Sequence, residues 1–153
     1  MTGSMNNMRL LRGCAISALA VAFLAGCGSD MPFELLPVHG KVTFDDGSTI
    51  KAEQIVVAFA PAGTTTGPIT APRGTAQVNV GDGTFAAATT RRRDDGVVAG
   101  RHKVVVASFK KGPHGSPVPS DVIPTKYKNE STTPLEVEID TADQFIEIKV
   151  TKK

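Results

Sequence analysis

The chain has 153 residues, of which 41% are hydrophobic, 21% charged and 5% aromatic, and this composition suits one globular domain with a short appendage. The formal charge of +2 comes from Arg9 and Arg12, because the rest of the chain carries 15 basic and 15 acidic side chains. A near-neutral body excludes the broad basic footprint of a nucleic-acid-binding protein.

The first 26 residues have the pattern of a signal peptide. Arg9 and Arg12 form a positive start, and a small, apolar run of roughly 13 residues follows from Gly13 to Ala25. A membrane-spanning helix needs about 20 apolar residues, so this run is too short to serve as one. The sequence therefore predicts an exported protein, with residues 1–26 removed.

The run ends in Leu24-Ala25-Gly26-Cys27, which resembles the bacterial lipobox, where a cysteine is acylated and becomes the new N-terminus. The resemblance implies a lipid-anchored protein of the cell envelope, with Cys27 as the lipidation site and residues 27–37 as the tether. It does not say which membrane carries the anchor. The alternative is an ordinary secretory peptide with a chance cysteine. The only other cysteine, Cys14, lies inside the apolar run, so no disulfide is expected.

Residues 38–153 are predicted to form an all-β domain. Seven segments alternate apolar and polar residues or form short β-branched runs, and no convincing helix lies between them. Gly-containing turns separate several of them, and Asp46-Gly47 and Asp82-Gly83 are typical of hairpins. Such a pattern predicts a seven-stranded antiparallel β-sandwich. The seven segments are 38–44, 55–59, 76–80, 84–90, 100–106, 135–140 and 145–150.

The segment from Asp94 to Val106 is expected to turn at Gly96 and Gly100 and to continue as the central strand. Before it, the Arg91-Arg92-Arg93 run stands next to Asp94 and Asp95, so the two charge clusters are expected to neutralise each other in a solvated loop. After it, residues 110–134 form the longest stretch without a pattern and are rich in proline. Loops of that length are often functional or mobile.

Residues 38–150 resemble the transthyretin-like or carboxypeptidase regulatory-like domains of bacterial lipoproteins. The resemblance rests on 38–47, on Gly83-Thr84-Phe85, on 95–96 with 100–106, and on 123–127 with 132–135. It implies a Greek-key β-sandwich. The family usually has an aromatic residue, most often Tyr, where this chain has His102. The expected role of His102 is packing beside Val104 and Val106, and the alternative is a ligand.

Catalysis finds little support in the sequence. The three histidines have no metal-ligand spacing, and there is no Gly-x-Ser-x-Gly elbow. No enzyme activity, cofactor or metal is expected. A calcium site among the turn aspartates is an alternative to their local turn roles. Some transthyretin-related proteins are hydrolases that end in Tyr-Arg-Gly-Ser, whereas this chain ends at Lys152 and Lys153.

Two functions from different classes remain. The first is a structural or protein-interaction module that contacts an envelope protein. The second is a domain that binds polysaccharide or another anionic ligand. A carbohydrate platform usually needs exposed aromatic rings, and Tyr127 is the only Trp or Tyr, so the first is preferred. The candidate contact residues are Arg91, Arg92, Arg93, Lys110, Lys111, Lys126, Tyr127 and Lys128.

Overall fold

The computed structural model describes residues 32–63, 65–66 and 68–153, with 65–66 as backbone only. The predicted signal peptide and Cys27 lie outside these residues. Residues Met31–Lys153 form one compact unit. Its strands are β1 (Leu35–Leu36), β2 (Val38–Phe44), β3 (Gln54–Pro61), β4 (Thr65–Thr66), β5 (Ile69–Thr70), β6 (Gly74–Val78), β7 (Thr84–Phe85), β8 (Val97–Val98), β9 (Gly100–Lys111), β10 (Pro117–Pro119), β11 (Glu136–Ile139) and β12 (Gln144–Val150).

The predicted all-β class is confirmed. The only helical elements in the described chain are two short 3₁₀ helices, Pro113–Gly115 and Thr125–Lys128. A five-stranded sheet has the order β10-β9-β3-β6, with β11 also pairing to β9, and a three-stranded sheet has the order β12-β2-β7. Two further pairs, β1 with β8 and β4 with β5, complete the pairing.

The two larger sheets share one hydrophobic core. Val42, Phe85 and Ile146 from the three-stranded sheet and Phe59 and Val104 from the five-stranded sheet are all buried in the same cluster. Each strand places alternate residues on this side, which is the period of a sheet with one buried face. Within β3, Ile55, Val57 and Phe59 are buried and the residues between them are half-buried, so β3 is less enclosed than its apolar sequence predicts.

The prediction that residues 94–106 lead into a central strand is confirmed. Strand β9 pairs with β3 along one side, from Gln54 opposite Phe109 to Pro61 opposite His102. On its other side it pairs first with β11 and then with β10. The turn before it uses positive φ at both Gly96 and Gly100, as the sequence predicts.

Three predicted turns form, but they join strands of different sheets. The Asp46-Gly47 turn leads from β2 to β3, the Asp82-Gly83 turn leads from β6 to β7, and residues 140–143 lead from β11 to β12. Turn chemistry favours a chain reversal and does not choose the sheet that receives the next strand. The hairpin interpretation of the turns at Asp46-Gly47 and Asp82-Gly83 is therefore wrong, whereas residues 141–143, predicted only as a turn, form one.

One strand pair departs from the predicted antiparallel arrangement. Strand β12 runs parallel to β2, from Gln144 opposite Val38 to Val150 opposite Phe44. The two strands are far apart in sequence, and β12 reaches β2 only after the chain has crossed from β11 in the other sheet. Strand β7 is also shorter than predicted, because beyond Phe85 only Thr89 forms a bridge, to Thr75.

Part of the predicted tether belongs to the fold. Leu35 and Leu36 pair with Val98 and Val97, and Phe33 is buried beside Val98 and Ala71. Burial of the apolar side chains at 33–36 removes apolar surface from water, so packing is more favourable for this segment than a solvated linker. In the sequence, the flanking prolines favour the linker interpretation. Any free linker before this body therefore ends near Phe33.

The segment 110–134 is packed and not an open loop. Ile123, Tyr127 and Thr133 are buried, and the Thr133 hydroxyl donates a hydrogen bond of 2.7 Å to the carbonyl of Val104 on β9. The prolines limit the backbone conformations available and have no backbone N–H groups that need hydrogen-bond acceptors. The segment can therefore follow an irregular path without the hydrogen-bond ladder of a regular strand. The segment without a sequence pattern is therefore part of the packed domain.

Substituting Gly96 with alanine is expected to destabilise the fold strongly. Its φ is +93°, and an added Cβ would lie 2.2 Å from the carbonyl oxygen of Leu36. Positive φ alone costs roughly 1–2 kcal/mol for a residue with a Cβ, and the clash adds to it. Gly47→Ala is the matched control, because Gly47 has φ +81° with nothing within 4 Å of the added Cβ.

Urea unfolding followed by circular dichroism measures both variants. Gly96→Ala is expected to lower the free energy of unfolding by at least about 1 kcal/mol more than Gly47→Ala does. Equal losses of unfolding free energy in the two variants would show that the close approach of Leu36 to residue 96 does not add to the destabilisation.

Candidate functional site

A shallow cleft of about 470 Å³ opens at one end of the five-stranded sheet. Strand β3 begins at this end, while β6 and β9 end there, because β3 is antiparallel to both. The loops that flank three strands therefore meet at one place. The cleft is lined by Lys51, Ala52, Glu53, Val80, Phe109, Lys110, Ser120 and Val122.

Lysines dominate the charge around this cleft. Lys51 and Lys110 are in its lining, and Lys111 follows directly on the chain. Asp121 lies between two lining residues, and the ammonium groups of Lys128, Lys153 and Lys110 hold its pKa below the usual range, the hydrogen bond from Lys128 having the largest effect. We call the cleft together with Lys51, Lys110, Lys111, Lys128 and Lys153 the lysine cleft.

Hydrogen bonds fix the backbone on two sides of the lysine cleft. The carboxylate of Glu53 accepts a hydrogen bond from the backbone N–H of Lys111. Ser120 donates its backbone N–H to the carbonyl of Ser108 at 2.8 Å, and its own carbonyl accepts a 2.6 Å hydrogen bond from the Lys128 ammonium. The rim is therefore built into the fold and does not depend on a free loop.

The three arginines at 91–93 lie at the other end of the sheet. Thr89 bridges Thr75 near the start of β6, and the backbone N–H of Gly96 donates to the carbonyl of Ala88. Because the eight residues of β3 span about 25 Å, this loop and the lysine cleft are well separated. The structure does not bring the predicted basic residues together on one surface.

The acidic residues beside these arginines do not neutralise them by ion pairs. One carboxylate oxygen of Asp95 accepts the backbone N–H of Thr90 at 2.7 Å, and the other accepts those of Arg91 and Arg92 at 3.0 and 2.7 Å. Burial opposes ionisation of Asp95, but these hydrogen bonds outweigh it and lower its pKa. Among the described residues no salt bridge involves the side chains of residues 91–93, and all three are exposed.

Tyr127 is not available as a surface platform. Its side chain is only 3% exposed, and its hydroxyl accepts a 3.1 Å hydrogen bond from the backbone N–H of Thr151. Lys126 places its ammonium 4.8 Å from the centre of the Tyr127 ring. The predicted contact at Tyr127 is therefore a core residue that holds the C-terminal segment.

The turn aspartates act locally. One oxygen of Asp46 accepts hydrogen bonds from both the backbone and the hydroxyl of Ser48, and Asp82 does the same for Thr84. Asp46 also pairs with Lys152. Within the described ranges, no group of three or more His, Cys, Asp or Glu side chains is placed to hold a metal ion.

His102 is fully buried and packs as expected beside Val104 and Val106. Its ring meets that of Phe59 edge to face at 6.3 Å, and its Nε2 lies 2.6 Å from the carbonyl oxygen of Val98. The carbonyl can only accept, so Nε2 carries the proton and donates. Nδ1 is buried without a hydrogen-bond partner, which fits the neutral ring.

Comparison with family models, curated proteins and solved structures finds no match to this chain. None of the helices in the described part of the chain is both long and apolar enough to cross a membrane. The function therefore rests on the residues themselves.

The stability of the protein is expected to fall as the pH drops below about 6.5. Burial lowers the pKa of His102 from 6.5, and the nearby carbonyl of Val98 opposes this only in part. The neutral ring is favoured in the fold, so below pH 6.5 the unfolded chain binds the proton first and the free energy of unfolding decreases. The slope is at most about 1.4 kcal/mol per pH unit, until the pH reaches the lower pKa of the folded state.

His102→Phe removes this titrating group. It is therefore expected to make the free energy of unfolding less dependent on pH between pH 6.5 and the folded-state pKa of His102. His114→Asn is the control, because His114 is exposed and its φ of 59° suits asparagine. Urea unfolding across this pH range gives the slopes. An unchanged slope in His102→Phe would show that another group is responsible.

Proposed function

We propose that the protein is an exported, lipid-anchored envelope protein whose β domain is a non-catalytic interaction module. The anchor rests on the lipobox-like Leu24-Ala25-Gly26-Cys27. The observation that carries the proposal is that β1 and the lysine cleft lie at opposite ends of the five-stranded sheet: β1 pairs with β8 just before β9 begins, and the cleft forms where β9 ends.

This arrangement suits an anchored module. Five residues separate Cys27 from the buried Phe33, and the six residue steps between them reach roughly 20 Å when extended. An acylated Cys27 would hold the β1 end close to the bilayer. The lysine cleft at the other end would then face away from the membrane, towards envelope components.

We infer that the domain is a transthyretin-like or carboxypeptidase regulatory-like β-sandwich with Greek-key connections. Support comes from the shared core of the two larger sheets and from the three turns that switch the chain between them. The packed position of His102 against Phe59 agrees with an aromatic role at that site of the family pattern. The parallel pairing of β12 with β2 does not conflict with the two-sheet arrangement.

The non-catalytic part of the proposal rests on the way the reactive side chains are used. Asp46, Asp82 and Asp95 are held in turns, and His102 is enclosed in the core. The Tyr-Arg-Gly-Ser signature of the transthyretin-related hydrolase alternative does not occur in the printed sequence, whose one Tyr, Tyr127, is followed by Lys128. An interaction role uses the exposed lysines and needs no additional group.

Polysaccharide binding is the second candidate, and its support is limited to the lysine cleft. The predicted basic residues do not converge on one surface in the described part of the chain, since 91–93 and Lys110 lie at opposite ends of the sheet. Tyr127 is buried and offers no ring for a sugar to stack on. The preferred partner is therefore a protein.

Cys27→Ala is expected to move the protein from the membrane fraction to the soluble fraction of cells. Acyl chains contribute about 0.8 kcal/mol per buried methylene, so losing them removes most of the membrane affinity. Cys14→Ala is the matched control and should leave the protein with the membrane, because Cys14 precedes the predicted cleavage point. Immunoblotting of fractionated cells measures both. Retention of Cys27→Ala in the membrane would overturn the proposed anchor.

A further inference from the structure

We propose that the lysine cleft binds an extended segment of a partner protein in which acidic side chains alternate with apolar ones. This names the partner chemistry for the interaction module and so rests on the function proposed above. Three features of the cleft favour such a partner: the positive charge around it, its apolar floor and its rigid walls.

The lysines around the cleft outnumber the carboxylates that could neutralise them. Lys51 and Lys110 line the cleft, Lys128 and Lys153 act on the Asp121 carboxylate beside it, and Lys111 follows Lys110 on the chain. The carboxylates found among these lysines are Glu53 and Asp121. Lys128 pairs with Asp121 at 3.3 Å, whereas the other four lysines form no salt bridge within the part of the chain that the structure describes. Glu53 is further engaged by the backbone N–H of Lys111. The surplus cations favour an anionic partner.

The floor of the cleft is apolar. Ala52, Val80, Phe109 and Val122 supply it, and Val80 is 37% exposed, one of three large hydrophobic side chains left in solvent among the described residues. Burying this surface would favour binding by roughly 25 cal/mol for each Å² of apolar area. An uronate or sulfate polymer carries charge but no side chains to cover such a floor. A peptide with alternating acidic and apolar residues supplies both.

An extended peptide also matches the geometry. Side chains of an extended chain alternate between two directions, so apolar residues can face the floor while acidic residues reach the lysines on the rim. A cleft of about 470 Å³ is of the size that accepts a few side chains. Because Ser108, Ser120 and Glu53 already fix the walls, little ordering is needed on binding.

The test uses residues 31–153, which form a compact unit with their own core and lack Cys27. The probes are a fluorescent peptide of alternating Glu and Leu, a peptide of alternating Glu and Ser with the same charge, and polygalacturonate. Fluorescence anisotropy at low and moderate salt gives the affinities of the two peptides. Competition against the Glu-Leu peptide gives that of polygalacturonate.

The Glu-Leu peptide is expected to bind more tightly than either other probe, with an affinity that salt weakens. The variant Lys51→Gln, Lys110→Gln, Lys111→Gln is expected to lose about tenfold in affinity. The matched control is Arg91→Gln, Arg92→Gln, Arg93→Gln, which removes the same charge from the opposite end of the sheet. This control should keep the affinity to within about twofold.

Four outcomes would overturn the proposal. Equal losses in the two triple variants would indicate a general charge effect. Equal binding of the two peptides would remove the role of the floor, and tighter binding of polygalacturonate would make the cleft a polysaccharide site. Failure of the Glu-Leu peptide to bind at all also overturns it. None of these results depends on Cys27, so failure here is distinct from failure of the proposed anchor.

Discussion

The pairing of β9 on both of its sides is the constraint on which the rest of the structure depends. One long strand holds β3 by hydrogen bonds along eight residue pairs, and on its other edge it holds β11 and then β10. Its inward face buries His102, Val104 and Val106 against the shared core. The end of β9 that carries Phe109 and Lys110 forms one wall of the lysine cleft, so the core and the candidate site depend on the same register.

Register in a sheet with one buried face leaves little freedom. A slip of one residue along β9 would move His102 and the core valines off the inward face and leave Phe59 without the His102 ring on which it packs. The turn before β9 helps to fix this register, because Gly96 lies against Leu36 and Asp95 holds the backbone of residues 90–92. The acidic residues of this turn thus have a structural role. The side chains of Arg91, Arg92 and Arg93 are exposed on the same turn and are not neutralised by its carboxylates.

The sequence predicts the parts of this fold that depend on local chemistry. The bounds of β2 follow from its alternation, and the burial of Phe85 and His102 follows from their places in patterned strands. The turns at Gly47 and Gly83 follow from the need for positive φ. Pairing partners depend on contacts between distant segments, so the parallel pair of β12 with β2 and the packing of residues 33–36 leave no local signal.

The candidate site shows the same division between local and long-range information. Sequence reasoning selected Lys110, Lys111 and Lys128 as basic surface residues, but it grouped them with 91–93, which lie at the other end of the sheet. It missed Lys51 and Val80, because neither belongs to a charge run or motif, and only the antiparallel path of β3 between β6 and β9 brings them together. The sequence does contain a usable signal, because in an antiparallel sheet the residues just before one strand lie beside the residues just after the neighbouring strands.

Once the pairing is known, the basic residues divide between the two ends of the sheet. The lysines border a cleft with an apolar floor, whereas the arginines lie on a turn that has no such floor. Charge alone would favour both ends equally, and it is the exposed apolar surface around Val80 that makes the lysine end the better candidate for a specific partner.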